Sequence, residues 1–165
     1  MPRYLIIDGY NAISKTRELD ARKDISLEAA RMSFITMLKD FMARKGLFDK
    51  VFIVFDSKEE NLEVRRHSYG KVEVLFGTNN KNADSVIVDM LRDASPADKI
   101  SVSSDDNFVR NHARVFGGSV ISIDELKKII MLKERDFRGR IKEKDLEPDK
   151  IKDINQELKK YWGLR

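Results

Sequence analysis

Five aspartates occupy positions where a small α/β chain keeps reactive groups. Asp8 closes the apolar run Tyr-Leu-Ile-Ile, and Asp56 closes Val-Phe-Ile-Val-Phe. Asp105, with Asp106 next to it, closes Ile-Ser-Val-Ser-Ser, and Asp84 opens a helical pattern in Asn-Ala-Asp-Ser. In open α/β sheets, chemistry collects outside the carboxyl ends of the strands. If the strands ending at Asp8, Asp56 and Asp105 are neighbours, their carboxylates converge on one crevice. Like charges packed together cost free energy unless a cation lies among them. A hard divalent ion, Mg2+ or Mn2+, answers that need, because it prefers a few carboxylates with water and phosphate oxygens. Each acid taken alone also has a plainer role, as a turn residue, as an N-cap (Asp106) or as a first-turn acid favoured by the helix dipole (Asp84). Their coincidence in one short domain is what points to a metal site.

Five β-rich runs supply the strands, at 4–7, 51–55, 72–76, 100–103 and 119–123. The first two are almost continuously apolar, as strands buried on both faces should be. Between the runs lie helical patterns. One opens at the N-cap Ser26, with Glu28 in its first turn, and closes at Gly46; Leu27, Ala30, Phe34, Leu38 and Phe41 form its buried stripe. A second fits 83–92, with Val86, Ile87, Met90 and Leu91 inward, and a third fits 106–115 before Gly117-Gly118. A fourth starts near Asp124, whose side chain caps it. The polar stretch 57–70 reads as an irregular or partly helical connection. Strands alternating with helices argue a mainly parallel five-stranded sheet with helices on both faces. Past residue 133 the pattern turns to charge. Leu126, Ile130, Phe137 and Ile141 extend the fourth helix, and Pro148 starts another with Ile151, Ile154, Leu158 and Tyr161 as its stripe. Trp162 anchors that last helix.

A length of 165 residues, at roughly 150 per domain, allows one domain and a short appendage. We expect a domain at 1–126 and a basic helical extension at 127–165. With no cysteine, disulfide frameworks, thiolate zinc sites and cysteine nucleophiles are excluded. No apolar run reaches the ~18 residues of a membrane span, and the N-terminus lacks a signal-peptide core, so a cytoplasmic protein is expected. The net charge of +4 is uneven. Residues 127–165 hold thirteen Lys/Arg against eight Asp/Glu, a balance of +5, which leaves −1 for the rest. Such asymmetry suggests an anionic partner, nucleic acid first, with a solvated charged helix as the plain alternative. The chain has no P-loop, dinucleotide fingerprint or nucleophile elbow. A receiver domain would need an acid at Gly9, and a haloacid-dehalogenase-like phosphatase an acid at Tyr10.

These residues carry a resemblance. Leu5-Ile6-Ile7-Asp8-Gly9-Tyr10-Asn11 resembles the opening motif of the NYN domains, specifically the YacP-like branch of the PIN-like nuclease superfamily. The likeness continues in order through Val54-Phe55-Asp56, Val72–Phe76, Asn82-Ala83-Asp84 and Ser103-Ser104-Asp105. It covers about residues 4–126; beyond, the chain matches only in being basic and helical.

The resemblance implies a single PIN-like domain that cuts RNA with one or two divalent ions, Mg2+ or Mn2+, held by clustered acids. Carried over, Asp8, Asp84 and Asp105 are the central catalytic and metal-ligating residues. Asp56 is then a supporting ligand or an acid behind the ligands, Asp106 an outer member, and Asn11 a residue that orients a water or Asp8. Metal-activated water would attack in line and leave a 5′-phosphate and a 3′-hydroxyl, with no side-chain nucleophile. Candidate RNA contacts are Arg65 and Arg66 beside His67, Arg110 and Arg114 four apart on the third helix, and the dense cluster Arg135, Arg138, Arg140 and Lys142. Tyr10 could stack on a base or pack against the first helix, while His112 reads as a surface or packed residue. The expected partner is RNA, either messenger RNA or a large ribonucleoprotein such as the ribosome, to which the basic extension would recruit the domain. The competing reading is a non-catalytic RNA- or ribonucleoprotein-binding module that keeps the acidic crevice without turnover.

Overall fold

A strand whose middle residues are all apolar must be covered on both sides, and β1 (Arg3–Asp8) is built this way. Leu5, Ile6 and Ile7 are all buried, the odd-numbered pair on one face and Ile6 on the other. The computed structural model describes residues 2–22, 26–57, 65–78, 80–96 and 98–131. In it β1 is the hub of a six-stranded sheet. It pairs in parallel with β2 (Lys50–Phe55), Leu5 opposite Val51 and Asp8 opposite Val54. On its other side it pairs in parallel with β5 (Lys99–Ser103), Ile6 opposite Val102. β4 (Val72–Phe76) lies parallel outside β2, and β6 (Ser119–Ile121) parallel outside β5. The last strand, β3 (Arg65–Tyr69), runs antiparallel on the edge beside β4, giving the order β3-β4-β2-β1-β5-β6.

Helices cover both faces. One carries α1 (Gly9–Lys15), α2 (Arg17–Arg22), α3 (Leu27–Arg44) and α6 (Ile123–Met131), around a core that includes Phe34, Leu38, Phe41, Phe55 and Ile129. The other carries α4 (Ala83–Asp93) and α5 (Asn107–Val115), which enclose Val54, Ile87, Leu91, Val102 and Val109. At about 1.5–3 kcal/mol for each fully buried large apolar side chain, these layers supply the driving force that fixes the sheet. α3 starts as its sequence indicates, with Ser26 Oγ accepting the Ala29 N–H at 2.9 Å. No helix among the described residues is long and apolar enough to cross a membrane.

The structure departs from the sequence reading in four places. The sheet has six strands rather than five, because β3 lies in the stretch read as an irregular connection. Its Arg-Arg-His-Ser-Tyr sequence has no buried face, and an edge strand needs none once a hairpin through Gly70, at a φ of +67°, pairs it with β4. α1 and α2 were not anticipated, being too short to show a helical period. Leu27 lies outside the α3 stripe, 42% exposed, while Ile35 and Met42 join it. The cap of α6 is Ser122 rather than Asp124. Ser122 Oγ accepts the Glu125 N–H at 3.1 Å and Glu125 Oε2 accepts the Ser122 N–H at 3.3 Å, a capping box. α6 also carries the core past the expected boundary at residue 126, with Ile129 and Ile130 buried. The helices expected beyond residue 133, with Phe137, Pro148, Trp162 and the stripe between them, lie outside the described residues.

Candidate active site

Because β2, β1 and β5 are adjacent and parallel, the residues that follow them emerge side by side at one edge of the sheet. Gly9 lets the chain turn there. A Cβ on it would lie 2.3 Å from the Phe55 ring, so no larger residue fits while that ring packs under the turn. Asp8 is therefore held at the mouth of the sheet with its carboxylate mostly buried. Burial, then the charge of Asp84, then that of Asp56 push its pKa from 3.8 up to about 6; bonds from the Ser104 hydroxyl and the Asn11 backbone oppose the rise. Asp84, in the first turn of α4, is raised as well, by burial and by the charges of Asp106 and Asp56. Four carboxylates thus share one field: Asp8, Asp56, Asp84 and Asp106.

They differ in what already holds them. Asp56 Oδ1 accepts the Ala83 N–H at 2.6 Å, which ties the end of β2 to the start of α4 and aims Asp84 at the cluster. Asn82 caps the same helix through the Ser85 N–H. Asp106 caps α5, its Oδ1 accepting the Val109 N–H at 3.2 Å. Asp84 receives no hydrogen bond and no ion pair among the described residues, so its oxygens remain open to a ligand.

Asp105 is the exception to the expected convergence. Its Oδ2 pairs with Lys15 Nζ at the end of α1, and its Oδ1 accepts the Ile123 N–H at the start of α6, at 3.2 Å. Burial alone would raise its pKa, but Lys15, the Ile123 N–H and the Arg110 charge outweigh that and hold it below the ordinary value. Its backbone is fixed too, since Asn11 Oδ1 accepts the Asp105 N–H at 3.1 Å. Asn11 thus orients the β5–α5 loop through its side chain and Asp8 through its backbone.

Three residues of this network carried no role in the sequence reading. Ser104 is fully buried; its hydroxyl donates to Asp8 Oδ2 at 3.3 Å and accepts the Asp106 N–H at 3.0 Å, which couples two acids from different elements. Lys15 neutralises Asp105. Arg31 of α3 donates to the Tyr10 hydroxyl at 2.8 Å. A small hydroxyl residue ahead of paired acids is the one local signal that could have shown Ser104.

The expected RNA contacts separate. Arg65 and Arg66 point to opposite faces of the edge strand: Arg65 lies over the Phe76 ring, and Arg66 lies over Phe52 and pairs with the buried Glu73. Arg66 thus already has a carboxylate partner within the fold, which it shares with Lys50. Arg110 faces Asp105, whereas Arg114 reaches Asn111 on the exposed side of α5. Arg135, Arg138, Arg140 and Lys142 lie outside the described residues. His112 meets the Phe108 carbonyl through Nδ1 and packs at a tilt against the Phe108 ring. Tyr10 packs its ring on Phe55, with centroids 4.8 Å apart.

The donor set of the four carboxylates is hard oxygen carrying unbalanced negative charge, which suits Mg2+ or Mn2+. In their present positions no three acidic or histidine side chains among the described residues already form a closed cation cage.

Comparison with known proteins adds the family context. Residues 5–163 match the family described as the YacP-like NYN domain. The protein YacP of Bacillus subtilis (strain 168) is 31% identical over 83 residues, 50% of this chain and 48% of that protein, so the match spans about half of that relative's length. The crystal structure of Rae1 (YacP) from Bacillus subtilis is 27% identical with a TM-score of 0.64, covering 96% of this chain and 91% of that one. A point-mutant form of the same protein gives a TM-score of 0.68 over 87% of this chain and 83% of that one.

Proposed function

The chain belongs to the family of YacP-like NYN domains, and from that premise we propose that it is a metal-dependent endoribonuclease that hydrolyses RNA phosphodiester bonds. One observation carries the reading: Asp8, at the end of the central strand, is lifted to about 6 by burial and by the charges of Asp84 and Asp56. Acids forced together in this way are stabilised by a cation, and perturbed acids in a crevice mark functional sites. Asp8, Asp84 and Asp106 would hold the ion, Mg2+ or Mn2+. When bound, it supplies a lowered pKa for the attacking water and positive charge for the phosphate oxygens.

The chain's own residues do the rest. Asp56 keeps α4 in place and so positions Asp84. Ser104 directs its proton at Asp8 Oδ2 and so orients that carboxylate, leaving its other oxygen for the ion. Asn11 fixes the loop that carries Asp105 and Asp106. Asp105, balanced by Lys15, acts as a strut between α1, β5 and α6 rather than as a ligand, which revises the role its place in the motif suggests. The substrate is RNA, messenger RNA or a ribonucleoprotein such as the ribosome. The lysines and arginines that follow α6 in sequence would add salt-dependent affinity, and the protein would act in the cytoplasm.

The test is cleavage of a labelled RNA by the full chain with added Mg2+ or Mn2+, beside Asp8→Asn and Asp84→Asn. Cleavage that persists in chelator, or survives both substitutions, sinks the proposal. A second reading, an RNA-binding module without turnover, is favoured by the Lys15–Asp105 pair, since one acid of the motif is already neutralised. RNA bound by the full chain but left intact at every metal concentration would select it.

A further inference from the structure

Two arginines from distant parts of the chain rest on one aromatic ring beside the acids. The Arg31 guanidinium of α3 lies 5.4 Å from the centroid of the Phe76 ring, and that of Arg65 on the edge strand lies 5.6 Å from it. Phe76 is the last residue of β4, level with Phe55 in the sheet register, and the two rings stack at 5.7 Å. Phe55 in turn carries Tyr10, two residues from Asp8, and the Tyr10 hydroxyl accepts the hydrogen bond from Arg31. A chain of aromatic rings therefore runs from Tyr10, beside Asp8, through Phe55 to Phe76, and both guanidinium groups lie against the last ring.

Arg31 is half-buried, and among the described residues no carboxylate pairs with it. Its one polar partner is a neutral hydroxyl, which uses one of five donors. The donors that Arg31 does not use on Tyr10 remain for a ligand, and a guanidinium's planar fork suits two oxygens of a phosphate. Arg66, with the same charge two strands from the acids, has Glu73 as its counterion instead. The contrast separates an arginine paired with a carboxylate from one that has no such partner among the described residues.

Resting on the nuclease reading, we propose that Arg31, with Arg65 beside it on the Phe76 ring, holds a backbone phosphate of the substrate strand next to the cleavage position. The contact is blind to base identity. It anchors the strand on the α3 side of the acids, while Tyr10 keeps the guanidinium in place.

The experiment uses the full chain and a fluorescein-labelled single-stranded oligouridylate, in chelator so that nothing is cut, across a series of KCl concentrations. Arg31→Gln should weaken binding about tenfold at low salt. It should also flatten the slope of log affinity against log salt by about 0.7, the value for neutralising one phosphate fewer on a single strand. Arg44→Gln, an equal charge change in the exposed last turn of the same helix, should leave the slope unaltered. A wild-type slope in Arg31→Gln, or an equal fall in both variants, overturns the proposal. A second measurement needs no variant: modification of Arg31 by phenylglyoxal in the wild-type chain, read by peptide mass, should slow when the oligonucleotide is added, and Arg44 should not change. Equal rates with and without oligonucleotide also overturn it. If the wild-type chain neither binds nor cuts RNA, the nuclease reading itself falls; if it does both and Arg31 is indifferent, only the phosphate seat falls.

Discussion

Asp8 is under two opposed demands, and pH separates them. In the unfolded chain it loses its proton near 3.8, and in the folded chain near 6. Between those values the folded state holds the extra proton, so stability falls as pH rises through the window and stays low above it. The loss from this one group is on the order of 3 kcal/mol. Asp8→Asn cannot ionise. In chelator it should melt several degrees above wild type at pH 7, with the gap closing toward pH 4, and with Mg2+ or Mn2+ added it should show none of the wild-type cleavage. Equal melting points at pH 7 would show that Asp8 is not destabilised by its neighbours. Asp105 makes a different prediction, because both its oxygens are already bonded within the protein. Asp105→Asn should slow cleavage by about tenfold, the usual effect of a group that supports the ligands, and Asp84→Asn by much more. Rate losses of equal size would return Asp105 to the ligand set. The acids themselves were legible because each follows an apolar run or opens a helix. What holds them was not, since Ser104 reaches back 96 residues to Asp8 and Lys15 forward 90 to Asp105.

Elements set these side chains through their ends more than through their middles. Asp56 and Asn82 both bond the first turn of α4, Asp106 caps α5, and Asp105 bonds the first N–H of α6. Three helices thus begin at the site and direct their positive ends toward it. Loss of the capping box, as Ser122→Ala, should cost about 1 kcal/mol in urea unfolding, with an effect on cleavage only through the Ile123 N–H. Gly9→Ala should cost more, about 1–3 kcal/mol, and should also lower activity, because the new methyl must push the Phe55 ring or the Asp8 turn aside. An Ala variant with wild-type stability would mean that the turn can relax without harm. The buried strands and the long helices were readable from period and caps. β3 was not, because nothing in an exposed Arg-Arg-His-Ser-Tyr run announces a strand until its partner Val72–Phe76 is in place. α1, seven residues long, is set by the turn at Gly9 and by packing of Ala12 and Ile13 rather than by its own pattern.

At the scale of the whole molecule, the sheet order is the fact from which the site follows. β1 is the first strand in sequence and a central one in space, flanked by β2 from residues 50–55 and β5 from residues 99–103. A chain ending after α4 would keep Asp8, Asp56 and Asp84 yet leave one side of β1 unpaired and Ile6 short of cover from Val102. Such a chain should show no cooperative melt by circular dichroism and no metal-dependent cleavage. The same order has a meaning in time. Synthesis delivers Asp8 before the strand that completes its surroundings, which follows only after about a hundred more residues. On the nuclease reading, a protein that cuts RNA is itself made from an RNA, and its blade stays unassembled until β5 has been read from that message.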